Sequence, residues 1–331
     1  MKRICHGILV ICIILSMLTT ACANVDNNSL LKETSFSRLS TTSIDKKFQI
    51  ALVMKTLTNP FFVDMEKGAR QAENELNIKL LVKTGAQETS IEQQIQIVEE
   101  LILQKVDAIV IAPGSSVDLV KVLKKAQDAG IVIVNIDNRL DAAECVKQGM
   151  TGVPFISVKN DDAAYLSAQT IASLVTGPGQ AIIIEGIRDA ENAELRRQGA
   201  VKAFAENSNI TIVASESANW KIDEAHDLVK TLLTANPDVK LISCANDMMA
   251  LGVVEYLKEI NRKDILVAGF DNLEDMRTEI LAGWAYVTID QQADKQGYMG
   301  IVTAVNMLKG VSVDEVTYVD AKVIIKKDIV G

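Results

Sequence analysis

The sequence is poor in histidine, the residue most often used as a general acid or base near neutral pH. It has two histidines in 331 residues, His6 in an apolar N-terminal stretch and His226 on a predicted helix. It also contains no G-x-S-x-G nucleophile turn, no G-x-G-x-x-G dinucleotide fingerprint and no Walker A motif. We therefore expect a protein that is not an enzyme, and we interpret His226 as a half-exposed helix residue.

Cysteine is also scarce. Cys5, Cys12 and Cys22 lie near the N-terminus, which leaves Cys145 and Cys244 in the body of the chain. Two cysteines are too few for a disulfide framework, and with one histidine they cannot complete a tetrahedral zinc site without an acidic ligand. We expect two small buried thiols rather than a bridge, and neither a metal nor a cofactor.

Positive charge and aromatic residues are limited too. The formal net charge is -9, and no basic run longer than a dipeptide follows the N-terminus, which disfavours nucleic-acid binding. Only 4% of the residues are aromatic, so an aromatic residue beside a loop is informative. The composition, 48% hydrophobic and 23% charged, is that of a globular protein, and the length allows two domains.

Residues 1–21 have the pattern of an export signal. Lys2 and Arg3 precede an apolar run over residues 8–18, which is shorter than the roughly 20 residues of a membrane span. This short run disfavours an uncleaved membrane anchor. Residues 22–46 are rich in Ser, Thr and Asn and are predicted to form a flexible tether.

Two cleavage sites compete at the end of the signal. The stretch "TTAC" resembles a bacterial lipobox and would make Cys22 the lipidated first residue, although Thr19 stands where an aliphatic residue is usual. The stretch "ACA" fits cleavage after Ala23, which would release a soluble protein. The tether favours lipidation, because a soluble protein needs no such segment.

From Phe48 onward the sequence alternates between apolar strands and amphipathic helices. The run "FQIALVM" is apolar enough for a strand buried on both faces, and Asn59 and Pro60 then suit the N-cap and first position of a helix. The helix over "SVDLVKVLKKAQDAG" is predicted to end at Gly130. After a break near "GMTGVP" come helices predicted over 161–175, 191–206, 222–235 and 247–260. Repeated units of this kind predict an α/β fold with two doubly wound parallel-sheet domains.

Polar and aromatic side chains recur where the predicted strands end. In an open parallel sheet, ligands bind beyond the carboxyl ends of the strands. Carboxylates and amides there can accept hydrogen bonds from sugar hydroxyls, Arg and Lys can donate to them, and aromatic rings can pack on the apolar face of a sugar ring. The sequence therefore predicts a site for a neutral sugar. The candidate residues are Lys55, Asn59, Phe61, Phe62, Asp137, Asn138, Arg196, Trp220, Asn246, Asp247, Asp271, Asn272 and Gln291.

The motifs "ALVMKTLTNPFFVDMEKGA", "IAPGSSVDLV", "VNIDNRLD", "ELRRQGAVKAF", "CANDMMALGV", "LVAGFDN" and "VTIDQQADKQG" occur in that order over residues 48–331. They resemble the periplasmic sugar-binding proteins of ABC transporters, in particular the ribose-binding type. The resemblance implies the type I periplasmic binding protein fold. It also implies eleven sugar contacts, namely Lys55, Asn59, Phe61, Phe62, Asp137, Asn138, Arg196, Trp220, Asn246, Asp271 and Gln291.

The resemblance further implies two lobes that close on the sugar about a three-strand hinge. The N-terminal lobe would comprise residues 48–158 plus 292–320, and the C-terminal lobe residues 159–291 plus 321–331. The crossovers would lie near 158–159, 291–292 and 320–321.

The sugar itself is predicted from three positions. Lys55 and Ala112 match the allose-binding branch of the family, whereas ribose binders have serine and asparagine there. Asn138 departs from both branches, which have arginine or glutamate. We expect an allose- or ribose-like aldose, with an aldohexose preferred to ribose and with a polyol or another sugar as the alternative.

The partner implied by the resemblance is an ABC permease. The alternative is a sugar sensor that docks on a chemoreceptor or a sensor kinase. Repressor effector domains share the fold, but an export signal stands where such a protein needs a helix-turn-helix. We expect a monomer outside the cytoplasmic membrane, either periplasmic or lipid-anchored, with no nucleic-acid partner.

Overall fold

The computed structural model describes residues 47–330, so the predicted export signal and tether lie outside the described residues. The strands are β1 Gln49–Met54, β2 Lys79–Thr84, β3 Ala108–Ile111, β4 Val132–Ile136, β5 Phe155–Ser157, β6 Gly179–Glu185, β7 Ile210–Ser217, β8 Val239–Cys244, β9 Leu266–Ala268, β10 Val287–Asp290, β11 Val316–Tyr318 and β12 Lys322–Ile325. The helices are α1 Pro60–Leu76, α2 Ile91–Gln104, α3 Val120–Asp128, α4 Ala142–Gln148, α5 Asn160–Ala172, α6 Glu191–Ala205, α7 Ile222–Ala235, α8 Asp247–Glu259, α9 Glu274–Ala282, α10 Ala293–Leu308 and α11 Lys326–Val330.

The strands form two six-stranded sheets with the same topology. The strand order is β11-β5-β4-β3-β1-β2 in the first sheet and β12-β10-β9-β8-β6-β7 in the second. Neighbouring strands are parallel, as predicted, except that β12 pairs antiparallel with β10 at the edge of the second sheet. The strand order reverses between β1 and β3 in one sheet and between β6 and β8 in the other.

Strand β1 is buried on both faces, as its apolar sequence predicts. Ile50, Leu52 and Met54 belong to an apolar cluster that includes α1 and α10, whereas Ala51 and Val53 belong to a second cluster with α2 and α3. Successive side chains of a strand point to opposite faces, so this division places helices on both sides of the sheet.

We call the first sheet with α1–α4 and α10 the first lobe, and the second sheet with α5–α9 and α11 the second lobe. The chain passes between the two lobes three times, within residues 157–160, 290–293 and 318–322. These are the three connections that the resemblance implies. The exact lobe borders given above stay a prediction.

Helix α1 begins as predicted, since Asn59 is its N-cap and Pro60 its first residue. Helix α3 begins only at Val120, after a turn in which the Ser115 hydroxyl accepts the Val117 and Asp118 N–H groups. Helix α4 was not predicted from the sequence. Its seven residues bury no side chain completely, so they leave no strong apolar periodicity.

Within residues 47–330, the cysteines are Cys145 and Cys244 and the histidine is His226. Cys145 and Cys244 are both unbridged, as predicted, but only Cys244 is buried, and Cys145 is half-buried. His226 lies on α7, partly exposed, with its ring nitrogens 3.2 Å from Asp227 and 3.1 Å from Glu259. Between residues 47 and 330, no helix is both long and apolar enough to cross a bilayer. In the same range, no group of three or more His, Cys, Asp or Glu side chains could hold a metal ion.

Candidate functional site

Side chains from both lobes surround a small cavity at the carboxyl ends of the strands. Lys55 follows β1 and Asn246 follows β8, so the cavity lies beside the points where the strand order reverses, the usual ligand position in such sheets. The first lobe contributes Lys55, Asn59, Phe61, Phe62, Glu88 and Asp137. The second lobe and its connection contribute Asn192, Arg196, Trp220, Asn246, Asp271 and Gln291.

Lys55 is the centre of a buried ion cluster in the first-lobe half. Its Nζ lies 2.9 Å from Oδ2 of Asp137 and 3.9 Å from Oε2 of Glu88. Asn59 links the cluster to α1, because its Oδ1 accepts the Phe61 N–H and its Nδ2 donates to Oε1 of Glu88 at 2.9 Å. Burial raises the pKa of Glu88, and Lys55 opposes this shift. Paired carboxylates therefore hold the lysine in place.

Three aromatic rings border the cavity. The rings of Phe61 and Phe62 meet edge to face, with centroids 5.0 Å apart. Nζ of Lys55 lies 5.6 Å from the centroid of Phe62 and 5.9 Å from that of Trp220. The Trp220 ring lies so close to Gly186 that a Cβ atom at that position would come within 2.1 Å of it. These rings offer flat apolar surfaces for the C–H face of a sugar.

Arg196 organises the second-lobe half. Its Nε donates to Oδ1 of Asn160 at 2.8 Å, its Nη1 to the Ala245 carbonyl at 2.9 Å, and its Nη2 to Oε1 of Gln291 at 3.3 Å. Its Cζ lies 3.8 Å from the centroid of the Phe270 ring. Burial lowers the pKa of Arg196, and the neighbouring carboxylates oppose this. The Phe270 ring thus covers one face of the guanidinium, and the three acceptors fix its N–H groups.

Asp271 is held between Gln291 and Arg196. Nε2 of Gln291 donates to Oδ1 of Asp271 at 2.6 Å, and Nη1 of Arg196 lies 3.9 Å from the same oxygen. Burial raises the pKa of Asp271 well above its usual value, and Arg196 opposes this shift. Gln291, at a hinge connection, therefore orients both charged groups.

Asp247 holds the loop that contains Asp271, from the side of the loop that faces away from the cavity. Its carboxylate accepts the Thr288 hydroxyl at 2.8 Å and the Leu273 N–H at 2.9 Å, and its own N–H donates to the Phe270 carbonyl at 2.7 Å. Burial raises the pKa of Asp247 to about 6. Asp247, a strand-end residue of the sequence pattern, thus fixes the loop and is not part of the cavity wall.

Apart from Oδ2 of Asp137, which is ion-paired with Lys55, two buried polar atoms at the wall have no hydrogen-bond partner within the described part of the chain. They are Nε1 of Trp220, a donor, and Oδ1 of Asn192, an acceptor. Leaving such groups unpaired costs about 1–3 kcal/mol each. A hydroxyl-bearing ligand could pair with both, because a hydroxyl donates and accepts.

The charges of the wall nearly cancel. Lys55 and Arg196 face Glu88, Asp137 and Asp271. Burial raises the pKa of Glu88 and of Asp271, so the two carboxylates are the groups that neutralise most readily. Such a balance favours a neutral ligand with many hydrogen-bonding groups over an ion.

Unusual backbone angles are concentrated near the cavity. Among residues 47–330, nine residues other than glycine have a positive φ angle. Six of them adjoin the cavity or a hinge connection, namely Asp137, Asn219, Trp220, Asp271, Asn272 and Gln292. Such conformations cost on the order of 1–3 kcal/mol each and persist only where the surroundings impose them. The surrounding fold therefore imposes the geometry of the site.

The cavity is closed in this structure. Lys55 is 3% exposed and Arg196 is 4% exposed, although they come from different lobes. A ligand can reach these side chains only after the two lobes separate.

Ten of the eleven contacts implied by the resemblance line the cavity, and Asn138 does not. Its Oδ1 accepts the backbone N–H of Asn192 at 3.2 Å and the Ser116 hydroxyl at 3.3 Å, and its Nδ2 donates to the Pro113 carbonyl at 3.0 Å. These contacts within the protein use both the oxygen and the nitrogen of the Asn138 side-chain amide. A direct sugar contact by any of the eleven residues stays a prediction.

Two residues of the wall, Glu88 and Asn192, are absent from the candidates predicted from the sequence. Glu88 lies in the loop after β2, so the rule that ligands bind beyond strand ends would have included it. Asn192 lies four residues before Arg196 on α6, and residues at that spacing share a helix face. The helical spacing to Arg196 was therefore the signal for Asn192.

Comparisons with known proteins agree with this architecture. The sequence model of the periplasmic binding protein domain matches residues 50–312. The D-ribose/D-allose-binding protein of Pseudomonas aeruginosa is 39% identical over 268 residues, which cover 80% of this chain and 83% of that protein. The D-allose-binding periplasmic protein of Escherichia coli is 34% identical over 79% of this chain and 85% of its own length.

A solved structure is similar in fold as well. It is an ABC transporter periplasmic solute-binding protein from Actinobacillus succinogenes with bound D-allose. It has 37% sequence identity to this chain and superimposes with a TM-score of 0.81 over 86% of this chain and 99% of its own.

Proposed function

We propose that this chain, which belongs to the periplasmic binding protein family, captures a neutral monosaccharide between its lobes and delivers it to an ABC permease. The family consists of substrate-binding transport proteins, so the prediction that the chain is not an enzyme is confirmed. The predicted fold class, two parallel-sheet α/β lobes of the type I family, is also confirmed.

One observation carries the ligand class: the closed cavity combines donors, acceptors and aromatic rings from both lobes with nearly balanced charge. Only the closed form offers both halves of this contact set. A sugar that touches both halves therefore stabilises the closed form by its difference in affinity for the two forms. The family relatives above, whose names specify ribose and allose, support the same ligand class.

Lys55 and Glu88 favour an aldohexose over ribose. An ammonium offers donors only, whereas the serine of ribose binders donates and accepts. Glu88 adds a carboxylate 3.9 Å from this ammonium, at a wall position where it can accept from an additional hydroxyl. We therefore propose that an allose-like aldohexose binds at least about tenfold more tightly than ribose, a difference of about 1.4 kcal/mol.

Thermal melting against a panel of aldoses, ketoses and polyols tests this function. A ligand that binds only the native state adds about 2.7 kcal/mol of stability at one hundred times its dissociation constant. An aldohexose should raise the melting temperature most, and ribose should raise it less. If no sugar or polyol shifts the melting temperature, the proposed ligand class is wrong.

The family is exported, in agreement with the export signal predicted over residues 1–21. Lipidation of Cys22 is the finer proposal, and it rests on "TTAC" and the following polar tether. The mature wild type should then partition into detergent, and Cys22→Ala should stay in water or remain unprocessed. A water-soluble wild type beginning after Ala23 would contradict lipidation.

Delivery to a permease and the monomeric state need separate tests. Cells that lack this protein should lose high-affinity uptake of the labelled sugar. Size-exclusion chromatography of the purified protein should give the mass of one copy. Normal uptake combined with lost chemotaxis would favour the alternative of a sugar sensor.

A further inference from the structure

Helix α6 begins without a side-chain cap from its own segment. Its N-cap is Ala190, whose methyl group cannot accept a hydrogen bond. The start of the helix is nevertheless buried, since Ala190 is 1% exposed and Asn192 is 3% exposed. The first N–H groups of a helix have no partner within the helix, so a buried start needs acceptors from elsewhere.

The acceptors come from the other lobe. The Glu191 N–H donates to Oγ of Ser116 at 3.0 Å, and the Asn192 N–H donates to Oδ1 of Asn138 at 3.2 Å. The Ser116 N–H also donates to the Asp189 carbonyl, just before α6, at 3.0 Å. Three hydrogen bonds therefore join the lobes without using any side chain of the cavity wall.

The two acceptor side chains are already held within the first lobe. Nδ2 of Asn138 donates to the Pro113 carbonyl at 3.0 Å, and the Ser116 hydroxyl donates to Oδ1 of Asn138 at 3.3 Å. The Asp141 N–H donates to the Ser116 carbonyl at 2.9 Å, and Nδ2 of Asn135 donates to the Asn138 carbonyl at 2.8 Å. The first lobe thus presents a preformed pair of acceptors.

Closure joins this acceptor pair to the start of α6. The cavity wall is buried, so the lobes must separate for a ligand to enter or leave, and separation breaks the three hydrogen bonds. Helix α6 also carries Asn192 and Arg196 to the cavity. The contact that caps α6 therefore fixes the position of two wall residues as well.

We propose that Ser116 and Asn138 are positioning residues that form, with the start of α6, a latch that holds the lobes closed without touching the sugar. The proposal rests on the proposed function, because closure on a sugar gives the latch its effect. The latch sets how long a bound sugar stays, and the wall residues set which sugar binds.

Rapid-mixing measurements on the full body test the latch, with the sugar that gives the largest melting shift. Ser116→Ala and Asn138→Ala should each raise the dissociation rate about two- to thirtyfold, the range expected for loss of a helix cap. The association rate should change by less than about twofold, because the open form already lacks these bonds. Ser116→Thr keeps a hydroxyl acceptor for the Glu191 N–H and should retain slow dissociation.

Ser115→Ala is the matched control. Ser115 is buried beside Ser116, but its hydroxyl accepts only first-lobe N–H groups, those of Val117 and Asp118. This variant should lower the melting temperature and leave the dissociation rate unchanged. Equal dissociation rates in wild type, Ser116→Ala and Asn138→Ala would overturn the latch, and so would equal changes in Ser115→Ala and Ser116→Ala.

X-ray scattering at saturating sugar, read beside the melting panel, separates this proposal from the proposed function. If no sugar shifts the melting temperature, the proposed function is rejected, and the latch that rests on it with it. If a sugar does shift it, the sugar-saturated latch variants should have a larger radius of gyration than wild type and Ser115→Ala, because their closed form is less stable. Identical scattering of all four proteins, with identical dissociation rates, would leave Ser116 and Asn138 as ordinary packing residues and reject the latch.

Discussion

Helices α1 and α6 both bring side chains to the cavity, but they are capped differently. Helix α1 is capped by Asn59 of its own segment, which accepts the Phe61 N–H at 3.0 Å. Helix α6 is capped by Ser116 and Asn138 of the opposite lobe. The start of α1 is therefore formed at every lobe position, whereas the start of α6 is complete only in the closed form.

Helix α8 shows that the difference is not simply one between lobes. It lies in the second lobe with α6, but Asn246 of its own segment accepts the Met249 N–H at 2.9 Å. Closure therefore acts on α6 and its residues Asn192 and Arg196, while Asn246 and Asn59 are already in position. The two sets of residues should respond differently to mutation.

The largest effect is expected at Arg196 on α6. Arg196→Ala leaves Asp271 buried beside no cation and removes the packing on Phe270, so the preferred sugar should bind about 3 kcal/mol more weakly. Calorimetric titration measures this loss. Arg197→Ala is the control, because Arg197 is partly exposed and pairs with Glu194 on the surface. Similar affinities of the two variants would remove Arg196 from the site.

Lys55 tests the half of the cavity that is preformed. Lys55→Ser should weaken the preferred aldohexose by about 1.5 to 3 kcal/mol, the range for a hydrogen bond to a charged group, and narrow its margin over ribose. Titrating wild type and variant with both sugars measures the change. Lys67→Ser on the exposed side of α1 should alter neither affinity. If ribose binds wild type best, the role assigned to Lys55 is wrong.

Asp247, the first residue of α8, should make stability depend on pH. Burial raises its pKa from 3.8 to about 6, so the folded state favours the protonated form. Its contribution to stability is present below about pH 4 and is lost as the pH rises to about 6. The unfolding free energy of wild type relative to Asp247→Asn should fall by on the order of 2 kcal/mol between about pH 4 and about pH 7.

Urea unfolding at a series of pH values measures this difference. The Asn side chain keeps an acceptor for the Leu273 N–H but cannot titrate. If the difference in unfolding free energy between the two proteins does not change with pH, the pKa of Asp247 is the same in the folded and the unfolded state.

The smallest effect is expected for helix caps, where a cap from the same lobe (Asn59) is compared with a cap from the other lobe (Ser116). Asn59→Ala should lower the unfolding free energy of the sugar-free protein by about 1 kcal/mol, because α1 loses its own cap. Ser116→Ala should change sugar-free unfolding much less and act mainly on the sugar-bound protein. Chemical denaturation with and without sugar measures both variants. Equal losses without sugar would mean that both caps are formed in the open protein.

Local sequence signals predicted the α1 region well. Asn59 and Pro60 mark a helix start through their own conformational preferences, and "FQIALVM" marks a buried strand by composition alone. The rule that ligands bind at strand ends then placed Lys55 and Asp137 near the cavity. These predictions needed no knowledge of how the lobes meet.

Asn138 could not be predicted in the same way. It follows β4 just as Asp137 does, but its Oδ1 accepts the Asn192 N–H, 54 residues away and in the other lobe. A helix start without a capping side chain, such as Ala190, does not by itself indicate a contact between lobes. It does so only once the structure shows that Ser116 accepts the Glu191 N–H. Contacts between lobes leave no periodicity in the sequence, because neither partner repeats along the chain.

The positive φ angles around the cavity have a consequence for laboratory evolution. Glycine adopts such angles at little steric cost, so glycine in place of the partly buried Asn219 or Asn272 would relieve local strain without opening a large cavity. A library selected only for heat resistance should therefore accumulate glycine at these positions and lose the geometry of the binding site. Selection on retained binding would instead preserve both asparagines, which lie beside Trp220 and Asp271, and would confine stabilising changes to surfaces far from the hinge.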